Sequence, residues 1–211
     1  MSEACPAEVD AEIANIVRPV IWKTGPVRVV DRDARMDAPM EQTALMMRTA
    51  PEPADVIAAV RTMYKRFGID PTKTRPSSEA LLRRIRRGDA LPRINSLVDV
   101  INWTSLESQL SFGLYDAAGI GGAITVRRGR DGEAYAGIRK DVVHLAGRLV
   151  LADEAGPFGN PTSDSARTMV TSVTTDAMVV IYAPAGLAPL VVDRARALTV
   201  QRIDQFCRTV E

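Results

Sequence analysis

The spacing of the hydrophobic residues changes twice along this 211-residue sequence, and these changes constrain the fold more than any other feature. Between residues 53 and 110, apolar side chains recur every three or four positions, as on one face of a helix. Between residues 113 and 184 the pattern is that of short strands separated by turns, and helical spacing returns from residue 192. The sequence therefore predicts an α+β fold, with a largely antiparallel sheet flanked by helices.

Helix boundaries are marked by capping and stop residues. The first helix is expected between Pro53 and Gly68, the second from a cap at Ser77 to Gly88, and the third from Asn95 or Ser96 to Leu110. In the third helix the residues predicted to face inward are Leu97, Val98, Ile101 and Leu106. A last helix is predicted to pack on the sheet through Val192, Ala195, Thr199, Ile203, Phe206 and Val210.

Short runs of β-branched residues indicate the strands. In the N-terminal part, IANIVRPVIW and VRVV are expected to form strands or a hairpin around Gly25-Pro26. After residue 113 the predicted strands are GAITVRR, GIRKDVV, GRLVLAD, ARTMVTSV and AMVVIYA, with a turn at RDGE.

The bulk properties exclude several classes of protein. The two cysteines, Cys5 and Cys207, lie at opposite ends of the chain, which is typical of reduced thiols rather than of a disulfide framework. The first residues, MSEACPAEVDAE, lack the features of a secretory signal, and the longest apolar run is broken by Pro184 and Pro189. We therefore expect a cytoplasmic protein without a membrane span. The net charge of +1 excludes a uniformly basic nucleic-acid binder but not a local basic patch.

Several catalytic chemistries lack their required residues. The sequence has one histidine, His144, and no GxSxG motif, so a Ser-His-Asp triad is disfavoured. His144 is instead interpreted as a residue in or beside a strand. No spacing of ligands suits zinc, and neither GxxxxGK nor GxGxxG occurs in its required setting. The sequence predicts neither a metal nor an organic cofactor.

Two groups of residues are candidates for binding. Arginines dominate residues 61 to 93, and those proposed to contact RNA phosphates are Arg83, Arg84, Arg86, Arg87 and Arg93. The alternative is that they form the solvated side of an amphipathic helix. Asn95, Asp99 and Asn102 share one predicted helix face, where their short polar groups bind either a neighbouring loop or a ligand.

A third candidate is the polar segment GPFGNPTSDSARTMVTSVTT, residues 156 to 175. Its short polar side chains suit a ligand-binding loop, and an Asx-type turn leading into a strand is the alternative.

Several motifs together resemble the editing module of the phenylalanyl-tRNA synthetase β subunit. They are INSLVDVINWTSLESQLSFGLYD, GAITVRRGRDGE and RLVLAD, and the similarity spans residues 92 to 182. The segments YKRFGIDPTKTRPSSEALLRRI and GPFGNPTSDSARTMVT are similar to stand-alone relatives of this module. The expected organisation is one domain over residues 1–211, with an N-terminal extension (1–75), an editing-module-like core (76–185) and a C-terminal helix (190–210).

The resemblance implies a module that binds the aminoacylated end of tRNA and hydrolyses a wrongly attached amino acid. Two family positions differ here: Gly113 stands in place of a histidine and Ile181 in place of a glutamate. The segment GNPTSDS also replaces a glycine-rich loop of the family. A tyrosine-sensing pocket is therefore not carried over, and no catalytic residue is assigned.

The sequence thus leads to a trans-acting deacylase of mischarged aminoacyl-tRNA, with tRNA as its partner and with no membrane or DNA partner. The alternative is a non-catalytic module that binds tRNA, another RNA or an amino-acid-like ligand. In either case, the residues expected to bind the ligand are Asn95, Asp99, Asn102, Asp116, Asn160, Thr162, Ser163, Asp164, Ser165 and Arg167.

Overall fold

A computed structural model describes residues 3–138 and 140–208, and this part of the chain contains five α-helices and ten β-strands. The helices are α1 (Asp37–Thr49), α2 (Ala54–Arg66), α3 (Ser77–Arg86), α4 (Ser96–Ser108) and α5 (Pro189–Phe206). The strands are β1 (Glu3–Ala4), β2 (Ala7–Val9), β3 (Val17–Lys23), β4 (Phe112–Asp116), β5 (Ile124–Arg128), β6 (Ala134–Gly137), β7 (Lys140–His144), β8 (Leu149–Asp153), β9 (Gly156–Gly159) and β10 (Ala177–Pro184).

Strand β10 lies at the centre of the first sheet, whose order is β1-β3-β10-β4. Each neighbouring pair in this sheet is antiparallel. All eight residues of β10 are buried, as expected for an apolar strand covered on both faces. The second sheet has the order β2-β5-β8-β9, in which only the β2–β5 pair is parallel, and β6 and β7 form a separate hairpin. The predicted α+β fold with a largely antiparallel sheet is confirmed.

Side-chain contacts hold helix α4 on three sides. The indole Nε1 of Trp103 donates to Oγ1 of Thr43 in α1 at 2.8 Å. From α5, the Arg202 guanidinium lies 3.7 Å from the centre of the Trp103 ring and pairs with Glu107. On the α3 side, the Ser78 hydroxyl donates to the backbone carbonyl of Gln109, just beyond the end of α4, at 3.2 Å. These contacts fix the orientation of the helix that carries the candidate site.

The predicted helices are observed, with differences at their ends. Ser77 does not cap α3, because Pro76 occupies the cap position and Ser77 is the first helical residue. Asn95 does cap α4, since its side chain accepts a hydrogen bond from the Val98 backbone N–H at 2.9 Å. Val98, predicted to face the core, is only half-buried, and Val210 lies outside the described residues. Helix α1 was not predicted, because its buried face has only Met40, Thr43 and Ala44 and leaves Leu45 and Met46 exposed.

Two predicted strands are wrong. In VRVV, the backbone N–H groups of Val27, Arg28 and Val30 donate to Thr175, Cys207 and the Ser96 hydroxyl, so the segment has three different partners rather than one neighbouring strand. In ARTMVTSV, residues 166–168 form a 3₁₀ helix that the Ser165 hydroxyl caps at its start. Hydroxyl side chains here bind the local backbone and compete with sheet formation.

Two further strand predictions are partly right. IANIVRPVIW is extended only from Val17 onward. GIRKDVV includes the end of β6 and the start of β7 rather than one continuous strand, and its Arg139 lies outside the described residues.

Candidate functional site

A cavity of about 390 Å³ lies between helix α4 and the segment that follows β9. Its polar wall consists of Ser77, Asn95, Asn102, Ser105, Asn160, Thr162, Ser163 and Asp164. Its apolar wall consists of Ile94, Val98, Ile101, Phe112, Leu114, Ile138, Pro161, Met169 and Val170. Two polar segments that are distant in the sequence therefore face the same space.

The apolar wall is partly open to solvent. Ile94 and Met169 are 46% and 41% exposed, although both are large hydrophobic residues. Phe112, Ile101 and Val170 are buried beneath this rim. An apolar group that entered the cavity would cover this surface, and each 100 Å² removed from water would contribute about 2.5 kcal/mol before the opposing terms.

Asn102 presents an unpaired carboxamide to the cavity. It lies on α4 and is half-buried, and the described residues provide it with no hydrogen-bond partner. A carboxamide supplies two N–H donors and one carbonyl acceptor. Asn102 is thus able to bind a ligand without first breaking a bond within the protein.

The loop of residues 160–164 is organised by Asn160, which is 2% exposed. Its Oδ1 accepts hydrogen bonds from the backbone N–H groups of Thr162 and Ser163 and from the Thr162 hydroxyl, at 2.7 to 2.9 Å. Its Nδ2 donates to the Tyr135 hydroxyl at 2.9 Å, and that hydroxyl donates to the Ser163 carbonyl. The Asx-type turn is therefore present, and it forms part of the cavity wall.

Asp164 is the carboxylate of the cavity. The Tyr115 hydroxyl donates to its Oδ1 at 2.7 Å and lies 2.6 Å from the Tyr182 hydroxyl. Because the one hydrogen of Tyr115 points to Asp164, the Tyr182 hydroxyl is the donor to Tyr115. Burial raises the pKa of Asp164 to about 7, and the hydrogen bond from Tyr115 opposes this change.

All four tyrosines of the chain surround this loop. Besides Tyr115, Tyr135 and Tyr182, the Tyr64 hydroxyl of α2 donates to the Pro161 carbonyl at 2.8 Å. Burial raises the pKa of each phenol, in the case of Tyr64 to about 12. The phenols therefore remain neutral near pH 7 and act as hydrogen-bonding groups.

Two glycines make room for Tyr115. A Cβ atom built on Gly113 or on Gly159 would lie 2.3 Å from the Tyr115 hydroxyl oxygen, which is shorter than any allowed contact. Gly113 is one of the two positions at which the resemblance predicts a departure from the family. The other, Ile181, is fully buried in β10 and does not line the cavity.

Four of the predicted ligand-binding residues lie outside the cavity wall and have partners within the protein. Asp99 is fully buried and pairs with Nε of Arg93 at 2.6 Å. Asp116 accepts from the Ala118 N–H and from the Thr174 hydroxyl. Ser165 caps the 3₁₀ helix, and Arg167 binds both carboxylate oxygens of Asp153 at 2.9 Å.

The predicted residues that do face the cavity differ in whether their polar groups are free to bind a ligand. Asn95 and Asn160 have structural hydrogen bonds, whereas Asn102 and Asp164 retain positions for a ligand. Thr162 and Ser163 also line the wall, and the Thr162 hydroxyl already donates to Asn160. Whether any of these residues binds a ligand stays a prediction.

A second cleft, which we call the arginine cleft, lies on α3. It has a volume of about 390 Å³ and is lined by Glu52, Ile57, Arg61, Arg75, Glu79, Leu82, Arg83, Arg86 and Arg87. Five of these residues are arginines and two are glutamates, so the formal charge of the lining is +3.

The arginines predicted to bind RNA differ in their environment. Within the described residues, the Arg83 side chain has no ion pair or hydrogen bond, and the Arg87 side chain has only a 3.4 Å contact to Asp89. Arg86 pairs with Glu52, and Arg84 donates to the Ala90 carbonyl at 2.6 Å, outside the cleft. Arg93 is held by Asp37 and by the buried Asp99, so its charge is already neutralised.

The described residues contain neither a metal-binding cluster nor a membrane-spanning helix. Within residues 3–138 and 140–208, no cluster of three or more His, Cys, Asp and Glu side chains is arranged to hold a metal ion. No helix in the same ranges is long and apolar enough to cross a membrane.

The geometry defines a small α+β module with one mixed polar and apolar cavity beside a basic cleft. The B3/4 domain family matches residues 59–202, which include every residue lining the cavity, and the chain belongs to this family. The resemblance to the phenylalanyl-tRNA synthetase β-subunit module is confirmed.

Individual proteins show how far this similarity extends. The phenylalanine–tRNA ligase beta subunit of Brucella abortus (strain 2308) is 36% identical over 86 residues, which are 40% of this chain and 11% of that subunit. The corresponding subunit of Cutibacterium acnes is 34% identical over 122 residues, or 57% of this chain and 14% of that protein. The chain therefore matches about a tenth of the length of these relatives.

A solved N-terminal fragment of the phenylalanyl-tRNA synthetase β subunit from Pyrococcus horikoshii is 14% identical, with a TM-score of 0.48. This alignment covers 99% of the present chain and 53% of the fragment.

Sequence reasoning missed the tyrosine cluster and the apolar wall. The tyrosines come from α2, β4, β6 and β10, and no local pattern connects them. One available signal was that Gly113 and Gly159 occur where strands normally carry side chains. Arg61 and Arg75 of the arginine cleft were also not selected, although they belong to the same basic stretch.

Proposed function

We propose that this protein hydrolyses the ester bond of mischarged aminoacyl-tRNA in trans, with the aminoacyl group in the cavity and tRNA phosphates on the arginine cleft. One observation carries the proposal. The cavity combines an apolar wall with an unpaired carboxamide, Asn102, and a carboxylate, Asp164. In an aminoacyl ester, the amino-acid side chain is next to a reactive carbonyl. The apolar wall would contact an apolar side chain, and the two polar groups would lie near the carbonyl.

The composition of the wall indicates the substrate class. Its apolar residues outnumber the polar ones, and its polar groups are concentrated on the loop and on one side of α4. An apolar amino-acid side chain fits against Ile101, Phe112 and Val170, with its ester directed towards Asn102 and Asp164. We propose that the preferred amino acids have apolar side chains.

Helix α3 contributes residues to both the cavity and the arginine cleft. Ser77 at its start lines the cavity, and Arg83 and Arg87 farther along it line the arginine cleft. With a rise of about 1.5 Å per residue, Arg83 lies about 9 Å along the helix from Ser77. An RNA end is long enough to reach the cavity while its phosphates contact these arginines.

Further support comes from the relatives. The similar proteins are named as phenylalanine–tRNA ligase beta subunits, so an RNA partner, and tRNA in particular, is consistent with the family. Cys5 and Cys207 are both free thiols, which fits action in the cytoplasm. No metal or organic cofactor takes part in the proposed reaction.

The decisive experiment is a turnover assay with a panel of tRNAs that carry correct and incorrect amino acids. We expect loss of the ester faster than in buffer for at least one mischarged tRNA with an apolar amino acid. Asn102→Ala is the test variant, and Arg18→Ala, an exposed substitution outside both clefts, is its control. A panel in which no ester is lost faster than in buffer would contradict the proposal.

A second candidate is a binding module without catalysis. It is favoured by Gly113 and Ile181, which occupy the histidine and glutamate positions of the family and offer no proton-transfer group. In that case tRNA or an amino-acid ester would bind with Asn102-dependent affinity, but the ester would remain intact. Measuring binding and ester loss on the same samples separates the two candidates.

A further inference from the structure

We propose that Asp164 is the general base of the cavity and removes a proton from the water that attacks the ester carbonyl, with Tyr115 and Tyr182 as its positioning residues. This inference rests on the proposed function, because it assigns a chemical role within the same cavity. It also identifies the proton-transfer group that is absent from positions 113 and 181.

Asp164 is the one residue in the cavity wall that suits this role. The lining contains no other carboxylate and no histidine, lysine or cysteine among the described residues. The remaining polar side chains of the wall are hydroxyls and carboxamides, which are poor proton acceptors near neutral pH. Asp164 is therefore the side chain of this cavity that can act as a general base.

The hydrogen bonds of Asp164 leave room for water. Oδ1 accepts from Tyr115, and the backbone N–H of Asn160 lowers the pKa of the carboxyl group slightly against the effect of burial. A carboxylate has about four acceptor positions, so at least one remains for a water molecule. The chain from Tyr182 through Tyr115 fixes the direction of the carboxylate, as positioning groups do for other catalytic bases.

The surroundings of Asp164 adjust its basicity. The titratable groups that face it are the hydroxyls of Tyr64 on α2, Tyr115 on β4, Tyr135 on β6 and Tyr182 on β10. All of them are neutral near pH 7, and burial raises the pKa of Asp164 to about 7. A general base is most effective when its pKa is close to the working pH.

The reaction proceeds in two balanced steps. Asp164 takes one proton from water as the water oxygen bonds to the carbonyl carbon, and the carbonyl electron pair moves to its oxygen. The N–H donors of Asn102, on the opposite wall, are available to this oxyanion. The tetrahedral intermediate then collapses and breaks the bond to the ribose oxygen, which receives the proton from Asp164. The products are a free amino acid and a tRNA with a terminal hydroxyl.

The test is steady-state deacylation by the full chain, with the mischarged tRNA that the wild type clears fastest. Asp164→Asn keeps the acceptor for Tyr115 but has almost no basicity, so kcat should fall by about 100-fold to 10,000-fold with KM changed less than about twofold. Asp164→Glu, which retains a carboxylate, should recover part of the rate.

The positioning residues are tested by pH profiles. Tyr115→Phe removes a donor to the carboxylate, so the acidic limb of the kcat/KM profile should move to higher pH, and Tyr182→Phe should move it less. Thr199→Val is the control, because it removes a buried hydroxyl that donates to the Ala195 carbonyl within α5 and does not line the cavity. Its profile should not move.

The outcomes distinguish this inference from the proposed function. If the wild type is active and Asp164→Asn retains full kcat, the role of Asp164 as general base is overturned, whereas the proposed deacylase activity is not. An effect on KM alone also overturns it, since that result assigns Asp164 to binding the substrate ammonium group. If Asp164→Asn does not fold, an unmoved profile in Tyr115→Phe overturns the inference, and a wild type that clears no tRNA overturns both proposals.

Discussion

The Tyr115 hydroxyl oxygen lies 2.7 Å from Oδ1 of Asp164, although 49 positions separate the two residues in the sequence. This hydrogen bond connects β4 to the loop after β9 at the wall of the cavity. It also places a carboxyl group where burial favours its protonated form. The stability of the fold and the properties of the candidate site are therefore coupled through one pair of residues.

The first prediction concerns the pH dependence of stability. The pKa of Asp164 is raised from 3.8 to about 7 in the folded protein, so the folded state binds this proton more tightly than the unfolded chain does. The contribution of Asp164 to the free energy of unfolding is therefore fully present below about pH 4 and is lost as the pH rises to about 7. Asp164→Asn should remove this dependence and be more stable than the wild type at pH 8, by on the order of 2 to 4 kcal/mol.

Urea unfolding of both proteins at several pH values between 4.5 and 8 measures this difference. The other titrating groups are common to the two proteins, so their contributions cancel in the difference between the two unfolding free energies. A constant difference in unfolding free energy across this range would contradict the assignment.

The second prediction concerns the glycines around Tyr115. Gly113→Ala and Gly159→Ala should each destabilise the fold by about 1 to 3 kcal/mol, because the new methyl group overlaps the phenol ring. The two substitutions displace the same ring, so the double variant should lose less stability than the sum of the single ones. Gly186→Ala, which meets no atom within 4 Å, is the control for thermal unfolding. Additive losses would show that the ring is not the shared obstacle.

The third prediction separates two kinds of arginine. Replacing Arg83 and Arg87 together by Ala should weaken tRNA binding and reduce the slope of log affinity against log salt by up to about 0.7 to 0.9 for each lost phosphate contact. Stability should change little, because both side chains are exposed. Arg18→Ala, an exposed substitution outside the cleft, should leave the salt slope unchanged.

Arg93→Ala should behave differently, although Arg93 belongs to the same basic stretch. It would leave the fully buried Asp99 without its charged partner, with only the Ile94 N–H still bonded to it, and destabilise the fold by about 3 to 5 kcal/mol. Chemical denaturation checks this value. A stable Arg93→Ala variant with weakened RNA binding would return Arg93 to the RNA-binding set.

The fourth prediction compares two asparagines on the cavity wall. Asn102→Ala should change the free energy of unfolding by no more than about 0.5 kcal/mol, because the carboxamide has no partner in the described protein. It should slow ester hydrolysis by about 100-fold to 1,000-fold if its N–H groups bind the oxyanion.

Asn95→Ala provides the contrast. It removes the cap of α4 and should cost about 1 kcal/mol of stability. Thermal unfolding and deacylation rates of both variants test the pair, and equal stability losses would contradict the distinction between them.

Local sequence determined the fold class and most of the helices. Hydrophobic spacing and stop residues identified α2, α3, α4 and α5 because these signals depend on neighbours within a few turns. The same local signals predicted VRVV and ARTMVTSV as strands, which was wrong because their hydrogen bonds go to distant or capping groups. Helix α1 was missed because its buried face is small.

For the site, the sequence by itself determined which two segments are polar, and the tertiary structure decided how each residue in them is used. Asp99 and Asn102 are one helical turn apart, yet Asp99 pairs with Arg93 whereas Asn102 faces the cavity. The environment of Asp164 depends on Tyr115 and Tyr182, which belong to two different strands. Burial and pairing are set by groups that come together only in the folded chain, so no local pattern contains this information.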